Sequence, residues 1–193
     1  LFAYQKTEKK CFTGEEKIMT NSIRKKIRTI PHWPKEGIMF RDITTLLEDP
    51  DGFKETIDIL HNRYKDQKID KIIGIESRGF IFGAPLAYLL GCGFVPIRKP
   101  GKLPGECESE EYTLEYGTDK IEIHKDAIKK GERVVIVDDL IATAGTASAA
   151  RNLIKKLGGT LVECAFIVEL VDLKGRAKLK GEKIYSIVEF EGE

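Results

Sequence analysis

The sequence predicts an α/β fold in which a mostly parallel β-sheet is covered by helices on both faces. From about residue 50 onward, short apolar runs alternate with segments of helical periodicity. Parallel strands need crossover connections, which are usually helices, so this alternation favours a parallel sheet. No long linker divides the 193 residues, and one core is therefore expected.

A small appendage is expected to precede that core. Residues 1–18 come before Met19 and carry no clear periodicity, so we expect an extension, either expression-derived or from an alternative upstream start. A single domain would then occupy residues 19–193. Its appendage would cover about residues 19–50 and its core about residues 51–193.

Periodicity and turn residues predict the individual elements. Isoleucines at helical spacing predict a short amphipathic helix over residues 22–30, which the prolines after it end. Asp49-Pro50 predicts a helix start, because an N-cap candidate precedes a proline at the first helical position, and apolar residues recur at helical spacing as far as Tyr64. The remaining predicted elements are strands over 71–76, 94–97, 134–137, 161–170 and 184–190, hairpin strands within 115–124, and helices over 81–90 and 150–157.

Composition argues against several classes of protein. A net charge of +1 gives no reason to expect a nucleic-acid partner, and no apolar run approaches the ~18 residues of a membrane-spanning helix. The three histidines lie far apart in the sequence and the four cysteines lack metal-binding spacing, so no metal site built from side chains is expected. We expect reduced thiols and a cytoplasmic location.

The most informative segment begins with the apolar residues 134–137 and continues into Asp138 and Asp139. A loop of small and hydroxyl-bearing residues, 142–146, follows, and then a helical pattern begins. This order predicts a buried parallel strand with an acidic pair at its carboxyl end and an anion-binding loop at a helix N-terminus. Carboxylates accept hydrogen bonds from sugar hydroxyls, while backbone N–H groups and threonine hydroxyls hold phosphate. The segment therefore predicts a ribose-phosphate site.

Two further segments carry cations next to predicted strand ends. Ser77 and Arg78 lie where a strand turns into a helix and could bind an anion, although an ordinary turn with a surface arginine is the simpler interpretation of that segment alone. Residues 98–105 contain three cations among prolines and glycines, at a position where parallel sheets bind ligands. The polar, acidic residues 106–112 suit a mobile lid better than a merely solvated loop.

Taken together with two more motifs, these segments resemble the adenine phosphoribosyltransferases, a family of type I phosphoribosyltransferases. The acidic-pair segment alone is typical of the wider superfamily, whereas Phe40-Arg41-Asp42-Ile43 and Leu114-Glu115-Tyr116-Gly117 are more specific. The resemblance covers about residues 22–190. It implies a five-stranded parallel core with helices on both faces, a small N-terminal hood over residues 19–50 and a flexible lid loop.

The resemblance also implies a role for each candidate residue. Phosphoribosyl pyrophosphate (PRPP) or AMP would be bound by Asp138 and Asp139 at the ribose hydroxyls, by Ala142, Thr143, Ala144, Gly145 and Thr146 at the 5′-phosphate, and by Ser77, Arg98 and Lys99 at the pyrophosphate. The catalytic residues would be Arg78 and Lys102, also at the pyrophosphate, and Glu115, which would handle a proton near the purine. Adenine would be enclosed by Met39, Phe40 and Arg41.

The activity implied by the resemblance is transfer of the 5-phosphoribosyl group from PRPP to adenine, which gives AMP and pyrophosphate in purine salvage. Mg²⁺ would arrive with PRPP, bound mainly through substrate oxygens, because the chain offers few dedicated ligands. A homodimer is also implied. The alternatives are a transferase for another base, such as hypoxanthine, guanine or orotate, and a non-catalytic PRPP-sensing regulator, which the intact Glu115 and lid disfavour.

Two positions depart from the family pattern. A glycine that is usual in the family is replaced by Ala144, whose methyl group could alter the loop or bar a backbone torsion with φ > 0. An aspartate and a phenylalanine are replaced by His32 and Trp33, which keeps an aromatic ring but loses the capping carboxylate.

Overall fold

A five-stranded parallel sheet forms the core of the computed structural model, which describes residues 14–113 and 117–192, with side chains from residue 20 onward. The described strands are β1 (Arg28–Pro31), β2 (Met39–Asp42), β3 (Lys71–Ile75), β4 (Gly93–Ile97), β5 (Cys107–Thr113), β6 (Thr118–His124), β7 (Arg133–Ile141), β8 (Thr160–Leu170) and β9 (Ile184–Phe190). The described helices are α1 (Gly14–Lys26), α2 (Thr44–Glu48), α3 (Pro50–Tyr64), α4 (Arg78–Leu90) and α5 (Gly145–Lys156), with 3₁₀ helices at Val171–Leu173 and Gly175–Leu179. The sheet order is β4-β3-β7-β8-β9 and every neighbouring pair is parallel, which confirms the predicted fold class.

The central strand β7 shows why the sheet is covered on both faces. Val135 and Val137 belong to one core cluster, whereas Val134 and Ile136 belong to the other, and all four are fully buried. Side chains alternate between the faces of a strand, so a continuous apolar run supplies both layers at once. Helices α1, α2, α3 and α4 contribute to the first cluster, and α5 with strands β5 and β6 contributes to the second.

Helix α3 begins where the sequence predicts. The Asp49 carboxylate accepts a hydrogen bond from the Gly52 backbone N–H at 2.6 Å, and Pro50 is the first helical residue. Two other helices start earlier than predicted, at Arg78 and Gly145, because small and polar residues in their first turns carry little apolar periodicity. None of the helices in the described part of the chain is long and apolar enough to span a membrane.

The predicted N-terminal helix is displaced. The sequence predicts a helix over residues 22–30, but α1 ends at Lys26 and β1 begins at Arg28. Ile23 and Ile27 are buried as the spacing predicts, whereas Ile30 pairs with Phe40 across the β1–β2 hairpin. The helical spacing of the third isoleucine is therefore coincidental, and strand pairing decides its conformation.

The polar segment over residues 106–112 is largely a regular strand. Strand β5 pairs antiparallel with β6, in register from Cys107 opposite His124 to Thr113 opposite Thr118. Its acidic side chains contact α5, where the Asn152 amide donates to Glu110 at 2.8 Å. Motion of this hairpin as a lid stays a prediction.

Candidate active site

A cleft of about 430 Å³ lies at the carboxyl edge of the sheet, between β3 and β7. In a parallel sheet the helix N-termini and loops converge at this edge, so ligands bind there. The described residues that line the cleft are Ile75, Glu76, Ser77, Arg78, Lys99, Tyr112, Ile121, Asp138, Asp139, Leu140, Ile141, Ala142, Thr143, Ala144, Gly145, Thr146, Ala147 and Phe166. The segment predicted to bind ribose phosphate and the predicted anion-binding residues Ser77 and Arg78 therefore meet in one cavity.

The acidic pair lies within β7 rather than at its end, since the strand continues to Ile141. Asp138 is half-buried and its carboxylate accepts the Asp139 backbone N–H at 2.9 Å. Burial, reinforced by the neighbouring Asp139 charge, raises the pKa of Asp138 well above its ordinary value. Burial also raises the pKa of Asp139, although an ion pair with Arg78 at 2.6 Å offsets part of that rise.

Gly79 explains how Arg78 reaches the acidic pair. A Cβ atom on Gly79 would lie 2.6 Å from the Val137 carbonyl oxygen and 3.1 Å from the Asp138 carboxylate, so α4 starts closer to β7 than any other residue would allow. The close approach brings the Arg78 guanidinium over the Asp139 carboxylate. The sequence offers one signal for this contact, a glycine between the predicted strand 71–76 and the predicted helix 81–90.

The phosphate loop, residues 142–146, joins β7 to the N-terminus of α5. Ala144 is the residue before the helix, with φ 59° and ψ 24°, so the alanine adopts the left-handed torsion that its methyl group could have barred. Unpaired N–H groups at a helix N-terminus and the positive end of the helix dipole attract anions. The loop therefore keeps the geometry of a phosphate site.

Each predicted pyrophosphate cation is paired with a carboxylate of this chain. Lys102 and Arg98 both contact Glu76, with 3.4 Å between Arg98 Nε and the carboxylate. Burial alone would raise the pKa of Glu76, but hydrogen bonds from Lys102, from the Lys99 backbone and from Arg98 outweigh it, so the pKa lies below its ordinary value. Ser77, Arg78 and Lys99 line the cleft, whereas Arg98 and Lys102 reach it through Glu76.

Lys99 lies in a network with Asp119 and Tyr112 that the sequence does not predict. Its ammonium forms an ion pair with Asp119 and donates to the Tyr112 hydroxyl at 2.8 Å. Periodicity places Asp119 on the same face of β6 as the buried Ile121 and Ile123, but it does not predict the pairing with Lys99.

The residues predicted to enclose adenine lie in the hood. Met39, Phe40 and Arg41 form most of β2 and do not line the cleft as it stands in the described residues. The Arg41 guanidinium donates to the Thr29 hydroxyl at 2.8 Å and stacks 4.5 Å from the centre of the Phe190 ring. Glu115 falls outside the described residues, so the adenine side of the site stays a prediction.

Hard oxygen donors line the cleft, although in the described residues no cluster of three or more histidine, cysteine, aspartate or glutamate side chains is arranged to hold a metal ion. Asp138 and Asp139 are the carboxylates of β7 that face the cleft, and Asp139 is already paired with Arg78. Such a set fits a magnesium ion that takes most of its ligands from substrate and water.

Comparison with known proteins identifies the family. A family model described as the phosphoribosyl transferase domain matches residues 42–191. An adenine phosphoribosyltransferase of Nitrosospira multiformis is 62% identical over 172 residues, which is 88% of this chain and 98% of that protein.

Two solved structures have the same fold. The adenine phosphoribosyltransferase of Saccharomyces cerevisiae, complexed with an imino-altritol bisphosphate and adenine, has a TM-score of 0.84 and 44% identity, over 89% of this chain and 99% of that one. The Trypanosoma brucei enzyme, in complex with AMP, pyrophosphate and ribose 5-phosphate, has a TM-score of 0.83 and 30% identity, over 89% of this chain and 79% of that one. The chain therefore belongs to the phosphoribosyltransferase family, among the adenine phosphoribosyltransferases.

Proposed function

We propose that the protein transfers the 5-phosphoribosyl group from PRPP to adenine and releases AMP and pyrophosphate. The observation that carries this proposal is the meeting of Asp138, Asp139 and the phosphate loop in one cleft at the sheet edge. A ribose 5-phosphate needs a phosphate cradle and hydroxyl acceptors at a fixed separation, and this pair of features supplies both. The two relatives with solved structures hold ligands of the same chemistry.

The ribose would lie across the carboxyl end of β7. Asp138 and Asp139 would accept hydrogen bonds from its 2′ and 3′ hydroxyls, while N–H groups of residues 142–146 bind the 5′-phosphate. Because the two carboxylates are adjacent in β7 and Asp139 is buried, a bound ribose would also relieve their mutual repulsion by supplying hydrogen-bond donors.

The pyrophosphate would face Ser77, Arg78 and Lys99, with Arg98 and Lys102 adding positive charge next to Glu76. In the reaction, pyrophosphate leaves with the electron pair of the C1′–O bond as the adenine N9 lone pair forms the new C1′–N9 bond. Cations held in place before the reaction stabilise the charge that develops on the leaving group. Mg²⁺ bound with PRPP would neutralise further charge on the pyrophosphate.

Adenine must also lose its N9 proton or gain compensating protonation at N7. We propose Glu115 for this task and Met39, Phe40 and Arg41 for enclosing the base, on the resemblance to the family. General acid–base assistance contributes roughly 10²–10⁴-fold to a rate. The Glu115→Leu variant should therefore lose that factor in kcat with adenine, whereas its affinity for PRPP should change little.

A cytoplasmic homodimer completes the proposal. Helix α4 presents apolar side chains to solvent, with exposed fractions of 38% for Ile81, 86% for Tyr88 and 44% for Leu89. A contiguous exposed apolar surface on a helix is typical of an interface. The same face is proposed to pack against a second copy.

A substrate panel tests the proposed function. AMP formation from adenine and PRPP should require Mg²⁺ and should exceed turnover of hypoxanthine, guanine and orotate. Faster turnover of another base would reassign the substrate. Binding of PRPP without turnover of any base would support the regulator instead.

A further inference from the structure

Three side chains from separate segments converge next to the cleft. The Lys99 ammonium donates to the Tyr112 hydroxyl at 2.8 Å and forms an ion pair with the Asp119 carboxylate. The Tyr112 hydroxyl in turn donates to the same Asp119 oxygen at 3.1 Å. Lys99 and Tyr112 therefore both donate within this triangle, and the Asp119 carboxylate accepts from both.

The triangle joins the hairpin to both phosphate-binding regions of the cleft. Lys99 follows β4 in the cationic segment, whereas Tyr112 and Asp119 are cross-strand partners on β5 and β6. The Tyr112 ring packs against the start of α5, since a Cβ atom on Gly145 would lie 3.2 Å from it. One carboxylate thus links the hairpin, the pyrophosphate side and the phosphate loop.

The hydrogen-bond count leaves Lys99 able to bind a ligand. A lysine ammonium has three donors, and Asp119 and Tyr112 take two of them. Lys99 also lines the cleft. A long side chain that is already ordered loses less rotamer freedom when it binds an anion. The ion pair therefore holds the third donor of Lys99 ready at the cleft.

The charges that face this network favour the same arrangement. The hydrogen bond from Lys99 lowers the pKa of Asp119, and the bonds to Asp119 and Tyr112 outweigh the desolvation of Lys99 and raise its pKa. Both groups are therefore charged at neutral pH. Tyr112 is buried, so the ring shields the ion pair from part of the solvent.

We infer that Asp119 is a positioning residue for the pyrophosphate end of PRPP, acting through Lys99 and Tyr112. The inference rests on the proposed function and adds a residue to it that does not itself touch substrate. Its consequence is specific: loss of the Asp119 charge should weaken the binding of pyrophosphate and spare the binding of ribose 5-phosphate, which lacks that group.

Calorimetric titration of the full chain with pyrophosphate and Mg²⁺ tests the inference. Asp119→Asn keeps the shape of the side chain and should raise the pyrophosphate dissociation constant about tenfold. This is the size expected if the charge-assisted hydrogen bond from Lys99 to pyrophosphate is lost. The dissociation constant for ribose 5-phosphate should stay within about twofold. Asp126→Asn, in an exposed turn after β6, is the matched control and should change neither value.

A double-mutant cycle separates positioning from a purely structural role. In a Lys99→Met background, Asp119→Asn should have no further effect on pyrophosphate binding, because the group that it positions is gone. Equal losses of pyrophosphate affinity in both backgrounds would overturn the inference. Unchanged binding by Asp119→Asn would also overturn it. Tighter binding would do so too, because it would mean that the carboxylate competes with pyrophosphate for Lys99.

Two outcomes are kept apart from these. If the unmodified protein binds neither PRPP nor pyrophosphate, the proposed function fails rather than the inference. If Asp119→Asn does not fold, Tyr112→Phe takes its place, because it removes the hydrogen bond from Lys99 to the Tyr112 hydroxyl. Its loss of pyrophosphate affinity should be smaller and should also disappear in the Lys99→Met background. Unchanged pyrophosphate affinity in Tyr112→Phe would then overturn the inference.

Discussion

Ala144 holds a backbone conformation that side chains disfavour. Its φ of 59° lies in the left-handed region, where a Cβ atom costs roughly 1–2 kcal/mol relative to glycine. The residue is buried and precedes the first turn of α5, so the surrounding structure maintains the torsion. The alanine side chain therefore strains the loop at this position, and the loop keeps the left-handed torsion.

Replacing Ala144 by glycine should stabilise the protein by up to about 1 kcal/mol, because relief of the strain exceeds the added entropy of the unfolded chain. Ala147→Gly is the matched control. It removes an equally buried methyl group from an ordinary helical position of α5 and should cost about 1 kcal/mol. Urea unfolding of both variants makes the comparison. Equal destabilisation by the two glycines would show that the torsion stores no strain.

The charge on Asp138 is proposed to bind ribose, and it also affects the stability of the folded protein. Its pKa is raised by burial and by Asp139, so the folded state resists the charged form, whereas the unfolded chain ionises near the ordinary value of 3.8. Below pH 3.8 the carboxyl group is protonated in both the folded and the unfolded state, so it does not lower the free energy of unfolding. Above it, the folded state is progressively penalised until the raised pKa is passed.

The Asp138→Asn variant should therefore be more stable than the unmodified protein at pH 8, and this advantage should shrink as the pH falls towards 4. Its kcat/KM for PRPP should fall at least about tenfold, since an amide is a weaker acceptor for ribose hydroxyls than a carboxylate. Thermal unfolding between pH 4 and 8 measures the first effect. A stability difference that does not vary with pH would show that Asp138 is not charged at a cost.

At the scale of elements, the β5–β6 hairpin is the candidate for movement. Cys107 begins β5 and is half-buried, and its pKa is raised by burial and by the nearby Glu122 charge. Cys164 is fully buried in β8, where burial raises the pKa of its thiol to about 12. Since the thiolate is the reactive form, exposure and ionisation both favour Cys107.

Cys107 should react with a thiol reagent much faster than Cys164, and binding of PRPP with Mg²⁺ and an adenine analogue should slow it if the hairpin closes over the ligands. Cys11→Ser and Cys92→Ser substitutions leave these two thiols for a clean comparison. Mass spectrometry gives the rate at each site. A Cys107 rate that ligands leave unchanged would argue against closure at this hairpin.

The elements also show which features a sequence can predict. Strands buried on both faces, such as β7 and β8, carry continuous apolar runs and were correctly expected. Strand β5 was missed because six of its seven residues are only partly buried or exposed, so the segment carries almost no apolar pattern. Periodicity detects burial, so an element held by cross-strand hydrogen bonds and ion pairs escapes it.

The residues of the candidate site also differ in how well the sequence predicts them. The placement of the acidic pair and of residues 142–146 in one cleft could be predicted, because one segment contains both strand and helix signals. Glu76 and Asp119 were missed because each pairs with a cation distant in sequence, 26 residues away for Lys102 and 20 for Lys99. Pairings of that kind depend on how strands and loops that are distant in sequence pack together, which periodicity does not encode.

Across the whole molecule, the parallel topology brings all of these groups to one edge. Strands β3 and β7 are neighbours, so the turn that carries Arg78 and the acidic pair face each other across a single strand spacing. Helix α4 leaves this edge and exposes its apolar side chains on the opposite side from β7. An interface along α4 would therefore brace the helix whose first residue pairs with Asp139.

Tyr88→Glu should convert the proposed homodimer into a monomer, because an interface would bury the new charge without a partner. Leu173→Glu changes another exposed apolar side chain, on a 3₁₀ helix away from α4, and should leave the dimer intact. Sedimentation velocity over a dilution series measures the oligomeric state of both variants.

If α4 is the interface, the kcat/KM for PRPP of the unmodified protein should also fall on dilution below the dimer dissociation constant, since Arg78 loses the support of the interface. A Tyr88→Glu protein that remains dimeric would place the interface elsewhere, and a monomeric unmodified protein would remove the dimer itself.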